Sequence, residues 1–272
     1  MRFLLFIGVV ARAAGCELKP GSPKQGDAIR VTCAADLASA RMDGKTITLF
    51  PREGGTRFGL MPVKVDETPG KHTLEFLNGS GSVAQSRQIV VQNAHFPSQN
   101  VVLGKELAEL KPSPGETETV AKFRDAVTPE RHWSEPLIAP VPGCITSMYG
   151  VRRLHDGKPT GSYHTGLDQR TPAGEPIRAV AAGTVRMVGH FNLHGNTVGV
   201  DHGQGLESIY LHMSRLAVKD GDVVKQGDTV GYAGSTGRST APHLHWNLYA
   251  NGVAVNPLQW VKLGPCVKPP AK

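Results

Sequence analysis

The chain has 272 residues, enough for one large or two modest domains that each bury a core. Thirty Lys and Arg against 23 Asp and Glu give a formal charge of +7, yet no basic cluster interleaved with aromatics and no nucleic-acid motif occurs, so no nucleic-acid partner is expected. The four cysteines form no Cys-x-x-Cys pair, which excludes a structural zinc finger, and the basic balance fits either an anionic polymer or an ordinary solvated surface.

Residues 1–15 carry Arg2, the apolar run Phe3 to Val10 and the small residues Ala13, Ala14 and Gly15, the pattern of a secretory signal peptide. The run is too short to cross a bilayer, so an exported chain without a transmembrane segment is expected, at a charge of +5 once Arg2 and Arg12 are removed (7 − 2). Cys16 follows Ala13-Ala-Gly15, which partly resembles a lipoprotein cleavage signal but has Ala13 where Leu is usual. An even cysteine count in an oxidising compartment favours disulfides over a lipid anchor on Cys16. Of the three possible pairings, Cys16–Cys33 with Cys144–Cys266 needs no crossing between the two halves of the chain.

Residues 16–93 alternate in short runs, Ala28 to Cys33, Thr46 to Phe50, His72 to Phe76 and Gln88 to Val91, separated by breakers such as Asp43-Gly44 and Pro69-Gly70. That spacing predicts an immunoglobulin-like β-sandwich. His72 and His95 lack partners at ligand spacing and read as structural. Residues 94–139 form a proline-rich linker, with a helix predicted over Glu116 to Ala126 because Val120, Phe123 and Val127 share a face. Trp133 and Pro136 are expected to pack on the second half. Residues 140–272 return to short strands, including Gly183 to Val188, Asn196 to Val200, Leu206 to Tyr210 and Asp228 to Tyr232. The fold class is therefore all-β.

The chemistry-bearing residues lie in this second half: His164-Thr-Gly-Leu-Asp168, Tyr210-Leu-His212 and Pro242-His243-Leu-His245-Trp246. A His-x-His pair in a strand places both imidazoles on one face and sends Leu244 to the other. Zinc hydrolases use three protein ligands and keep a fourth position open, a need that two His and one Asp satisfy. With the lead-in Gly231 to Pro242 and the order of the segments, the stretch from about Pro140 to Val261 resembles the lysostaphin and LytM family of zinc endopeptidases, which cut peptide cross-links in bacterial cell walls.

The resemblance implies one zinc per chain, ligands at His164, Asp168 and His245, and catalytic histidines at His212 and His243. It also implies a half-open antiparallel barrel or two-sheet domain with a groove, preceded by the β-sandwich. His155, His190, His194 and His202 fall outside the family's ligand positions and read as loop or supporting residues; Glu207 and Asp201 are candidates to orient a ligating imidazole. The segments 153–163 and 189–195 are expected to wall the groove. The substrate is expected to be peptidoglycan peptide, at a D-alanyl-diaminopimelate type of cross-link before a glycine bridge. A non-catalytic wall-binding activator of a partner amidase, and a peptidase of ordinary proteins, are the competing functions.

Overall fold

The computed structural model describes residues 15–102, 104–155 and 157–266, so the expected signal peptide lies, apart from Gly15, outside the described residues. Residues 15–91 form β1 (Glu17–Lys19), β2 (Ala28–Ala34), β3 (Leu37–Met42), β4 (Lys45–Thr48), β5 (Phe50–Arg52), β6 (Thr56–Pro62), β7 (Gly70–Asn78) and β8 (Val83–Val91). They pair into two four-stranded antiparallel sheets, β1-β2-β6-β5 and β4-β3-β7-β8, which close over Ile29, Val31, Leu37, Ile47, Leu74 and Phe76. The run expected as one strand from Thr46 to Phe50 splits at Leu49, because there the chain passes from one sheet to the other. Strands β3 and β6 were not expected, since segments such as Leu37-Ala-Ser-Ala-Arg-Met42 carry few β-branched residues and owe their pairing to their neighbours.

Both expected disulfides are present, Cys16–Cys33 and Cys144–Cys266, and no described cysteine is free. The second fastens the start of the second half to its tail, where Ile145 N donates to Gly264 O at 2.9 Å and Cys266 N to Ile145 O at 3.0 Å.

The connector holds β9 (Ser98–Val101), α1 (Lys105–Glu109) and α2 (Glu116–Asp125). Helix α2 matches expectation to within a residue and buries Val120 and Phe123, but Val127 lies beyond its end and is 42 % exposed. Trp133 is buried as expected, donating Nε1–H to Gly203 O at 3.1 Å and standing between Phe58 and Trp260. Pro136 is exposed instead, and the neighbouring Leu137 takes the packing position.

The second half comprises β10 (Ile145–Ser147), β11 (Arg152–His155), β12 (Lys158–Tyr163), β13 (Leu167–Arg170), β14 (Pro176–Arg178), β15 (Gly183–Phe191), β16 (Gly195–Gly203), β17 (Leu206–Met213), β18 (Arg215–Leu216), β19 (Val223–Val224), β20 (Thr229–Tyr232), β21 (His243–Ala250) and β22 (Val253–Val255). An antiparallel sheet runs β10-β13-β21-β17-β16-β15-β19, with β22 added on β21; β14-β20-β18 and β12-β11-β9 form smaller sheets, and β9 runs parallel to β11. One face of the large sheet packs Val185, Val198, Tyr210, Leu244 and Trp246 against Ile177 and Val230 of the β14-β20-β18 sheet. The opposite face receives α2, whose Val120 and Phe123 meet Met187, Ile209, Leu211 and Tyr249. Among the described residues no helix is long and apolar enough to cross a membrane.

Glu207 on β17 is 1 % exposed, and neither carboxyl oxygen has a hydrogen-bond partner among the described residues. Burial, reinforced by the charge of Asp201, pushes its pKa well above the usual carboxylate value. The native state therefore holds a proton that the unfolded chain releases near the ordinary glutamate pKa, so stability falls as pH rises from there toward the native value. Glu207→Gln is expected to leave the melting temperature nearly unchanged at pH 4. At pH 8 it should raise stability by about 1–3 kcal/mol, read as roughly 2–4 °C per kcal/mol by calorimetry.

Candidate metal centre

Strands β13 and β21 pair with Asp168 opposite His245 and Arg170 opposite His243. Leu167, Gln169, Leu244 and Trp246 point into the core, so strand alternation places Asp168, His243, His245 and Asn247 together on the other face. His164 reaches the same face through the turn Thr165-Gly166. A Cβ on Gly166 would lie 2.4 Å from Trp246 O and 2.8 Å from His245 Nε2, so glycine alone admits this approach.

Three acceptor atoms converge. His164 Nε2 lies 3.0 Å from Asp168 Oδ1 and 3.0 Å from His245 Nδ1, and His245 Nδ1 lies 2.7 Å from Asp168 Oδ1. The outer nitrogens fix the tautomers: His164 Nδ1–H donates to Met148 O at 2.8 Å and His245 Nε2–H to Asn247 Oδ1 at 2.9 Å. Two imidazole lone pairs and a carboxylate oxygen thus face one another and call for a shared cation. A tetrahedral zinc with bonds of about 2.0–2.1 Å separates its ligands by about 3.3 Å, so a widening of a few tenths of an ångström would seat it. Burial works against the charge of Asp168, yet the adjoining His164 and His245 imidazoles hold its pKa well below the usual range. Burial lowers that of His245 despite the nearby carboxylate. Both trends leave the donors in the metal-binding form.

The supporting shell was not visible in the sequence. Asp168 Oδ2 accepts from Arg153 Nη2 at 3.3 Å. Gln99 Oε1, from β9, accepts from Arg153 Nη1 at 3.0 Å and from Ser147 Oγ at 2.8 Å, and Ser147 Oγ is 3.3 Å from His164 Nδ1. One connector side chain therefore braces two of the converging residues, and no spacing rule announces it. Asp201 and Glu207 do not orient an imidazole: Asp201 accepts from Thr128 Oγ1 and Gly203 N, and Glu207 has no hydrogen-bond partner among the described residues. His202 is a core residue bonded to Ala182 O and Ser208 Oγ, while the side chain of His155 lies outside the described residues.

His212 and His243 stand beside the cluster with ring centroids 5.2 Å apart. Alternation from Tyr210 would turn His212 into the core, but its φ of +60° rotates the side chain back to the groove. His212 Nδ1–H donates to Thr236 O and His243 Nδ1–H to Ala241 O, both at 2.8 Å, leaving each Nε2 as the free acceptor. His243 Nε2 is 3.9 Å from Asp168 Oδ1. Burial, with the charges of His245 and His243, lowers the His212 pKa to about 3. All five residues line one groove of about 850 Å3, walled in part by Arg153, Ser162, Tyr163, Leu193 and His194, as the two wall segments led us to expect.

A second grouping, Asp43, Glu67 and His72, lies in the sandwich. His72 has both ring nitrogens engaged, by Asp43 Oδ2 and Thr68 O at 2.7 Å each, so its structural reading stands; the pairing with Asp43 had been invisible at a separation of 29 residues.

The sequence signature of peptidase family M23 matches residues 162–257, the segment that carries the converging residues. The chain belongs to this family. A DD-carboxypeptidase/endopeptidase, Mpg, of Neisseria meningitidis serogroup B is 41 % identical over 114 residues, 42 % of this chain and 26 % of that protein. The peptidoglycan DD-endopeptidase ShyC of Vibrio cholerae is 40 % identical over 113 residues, 42 % of this chain and 26 % of its own length. The chain thus spans about a quarter of the length of these curated relatives. A crystal structure of a Pseudomonas aeruginosa chain assigned to peptidase M23 superposes with a TM-score of 0.64 at 29 % identity, covering 89 % of this chain and 95 % of that one, so the two-part architecture recurs there.

Replacing His164, Asp168 or His245 with alanine is expected to abolish stoichiometric zinc binding after dialysis, measured by elemental analysis. Asn247→Ala should keep the stoichiometry but weaken affinity about 10- to 100-fold in a chelator competition, because it frees the His245 ring.

Proposed function

We propose that the protein is an exported zinc metalloendopeptidase that hydrolyses peptide cross-links of bacterial peptidoglycan. The observation that carries this reading is the convergence of His164, Asp168 and His245 beside two further imidazoles, His212 and His243, in one open groove. His164, Asp168 and His245 would hold a single zinc, which would supply Lewis-acid polarisation of a carbonyl and would lower the pKa of water toward about 7.

The remaining chemistry falls to the chain. His212 and His243 each spend Nδ1–H on a backbone carbonyl, so Nε2 is available to take the proton of the attacking water and return it to the leaving amine. The depressed pKa of His212 has it begin the cycle unprotonated. Once protonated, either ring can donate to the oxyanion of the tetrahedral intermediate. The presence of both proton-handling groups argues against a non-catalytic activator of an amidase.

Substrate class follows from the groove and the relatives. Ser239, Thr240, Ala241 and Pro242 make one wall of small side chains, which suits alanine, glycine and diaminopimelate. Among the described residues of the lining Asp168 is the sole acid; Arg153 is committed to it, while Arg170 and Arg238 remain to face a substrate. Wall stem peptides carry free carboxylates that match this field. The relatives named as DD-endopeptidases favour a D-alanyl-diaminopimelate cross-link. Two disulfides fit an oxidising compartment. In the corresponding domain plan, residues 16–93 are an immunoglobulin-like support, 94–139 a connector and 140–272 the peptidase.

Digestion of purified peptidoglycan of known cross-link type, with products identified by mass, tests the reading. Cross-linked dimers are expected to disappear in a zinc-dependent manner; dimers that persist while casein is degraded would instead define a general peptidase. His212→Ala and His243→Ala are expected to retain one zinc and lose about 10²–10⁴ in kcat, and a fully active variant of either would remove that residue from the mechanism.

A further inference from the structure

Helix α2 opens with Glu116, a fully buried carboxylate in the connector that lies outside the segment matched by the family. Its oxygens accept from three successive backbone amides, Asn192 N at 3.1 Å, Leu193 N at 3.1 Å and His194 N at 3.0 Å, and from His194 Nδ1 at 2.5 Å. Ser113 N and Oγ close the other side at 2.7 and 3.0 Å. Consecutive amides aimed at one anion form a nest, here filled from within the chain. Burial disfavours the ionised form, but His194 and the other donors bring the Glu116 pKa down to about 2.

The loop it grips joins β15 to β16 and reaches the chemistry directly. Leu193 and His194 line the groove, and His194 O accepts the backbone N–H of His212 at 3.0 Å. Arg238 N donates to Leu193 O at 3.0 Å and Asn196 N to Thr236 Oγ1 at 2.9 Å, which ties the loop to the segment whose Thr236 O holds the His212 ring. The two backbones touch so closely that a Cβ on Gly237 would sit 2.4 Å from Gly195 N. His212 itself has a φ of +60°, a left-handed conformation that a residue with a side chain keeps only when its surroundings enforce it.

We propose that Glu116 is a positioning residue for turnover: by clamping residues 192–194 it holds the backbone and ring of His212 in the strained geometry that faces the groove. The functional peptidase unit then begins at α2 in the connector. This inference rests on the reading of His212 as a proton-moving group.

The test uses the full chain with a purified cross-linked muropeptide dimer and two variants, Glu116→Ala and Glu116→Gln. Both are expected to keep one zinc and a KM within about twofold of wild type. The kcat should fall about tenfold or more for Ala and by less for Gln, which retains one acceptor oxygen at the same reach. Amide exchange read by mass spectrometry should accelerate at 192–194 and at His212 but not across β16. Wild-type kcat in both variants, a loss confined to KM, or unchanged exchange at 192–194 overturns the proposal. The Gln variant decides every arm should the Ala variant fail to fold. A wild-type chain that leaves the dimer uncut defeats the peptidase reading instead, while the exchange measurement still decides whether Glu116 holds the loop.

Discussion

Three acceptor atoms from separate segments, His164 Nε2, Asp168 Oδ1 and His245 Nδ1, are held within 3.0 Å of one another with their protons committed elsewhere. This convergence sets the terms for the second half of the molecule. Mutual repulsion of lone pairs must be overcome by the packing that holds them until a cation relieves it. Hence Asp168 and His245 sit on neighbouring strands of the large sheet, with Leu244 and Trp246 anchoring the opposite face in the core, and the turn before β13 brings His164 up to them. Precision comes from the sheet, and access comes from the loops.

The connector ties the two halves together and takes part in the site. Strand β9 contributes Gln99, which braces both Arg153 and Ser147; α2 covers the face behind Leu211 and Tyr249, and its Glu116 grips the wall loop 192–194 from behind. The sandwich is docked as well, through Ala28 N to Gln259 Oε1 and Asn251 Nδ2 to Leu60 O.

Much of this was legible in advance, for identifiable reasons. Period-two alternation and glycine breakers marked the strands that bury a face, such as β2, β7, β15 and β17, and the five histidine and aspartate positions stood out because zinc chemistry restricts residue types and spacing. Short strands with polar or alanine-rich sequence, among them β3, β9 and β11, were missed because neighbouring strands create them. The supporting residues were missed for a related reason. Gln99, Ser147, Arg153 and Glu116 act through contacts separated by 15 to 78 positions, and a one-dimensional pattern carries no trace of them. The positive φ of His212 was equally hidden, since its sequence neighbours read as a regular strand. Val127 was placed on the buried face by carrying the helical period past Ala126, and Pro136 was expected to pack on the second half, whereas the chain ends its helix at Asp125 and turns Pro136 to solvent.

The most direct test of the central claim is anomalous diffraction at the zinc edge from crystals of the full chain grown with zinc. One peak is predicted, within bonding distance of Nε2 of His164, Oδ1 of Asp168 and Nδ1 of His245, with Nε2 of His245 still donating to Asn247. No peak there, a peak placed instead at Asp43, Glu67 and His72, or a His245 ring turned to present Nε2 would contradict it.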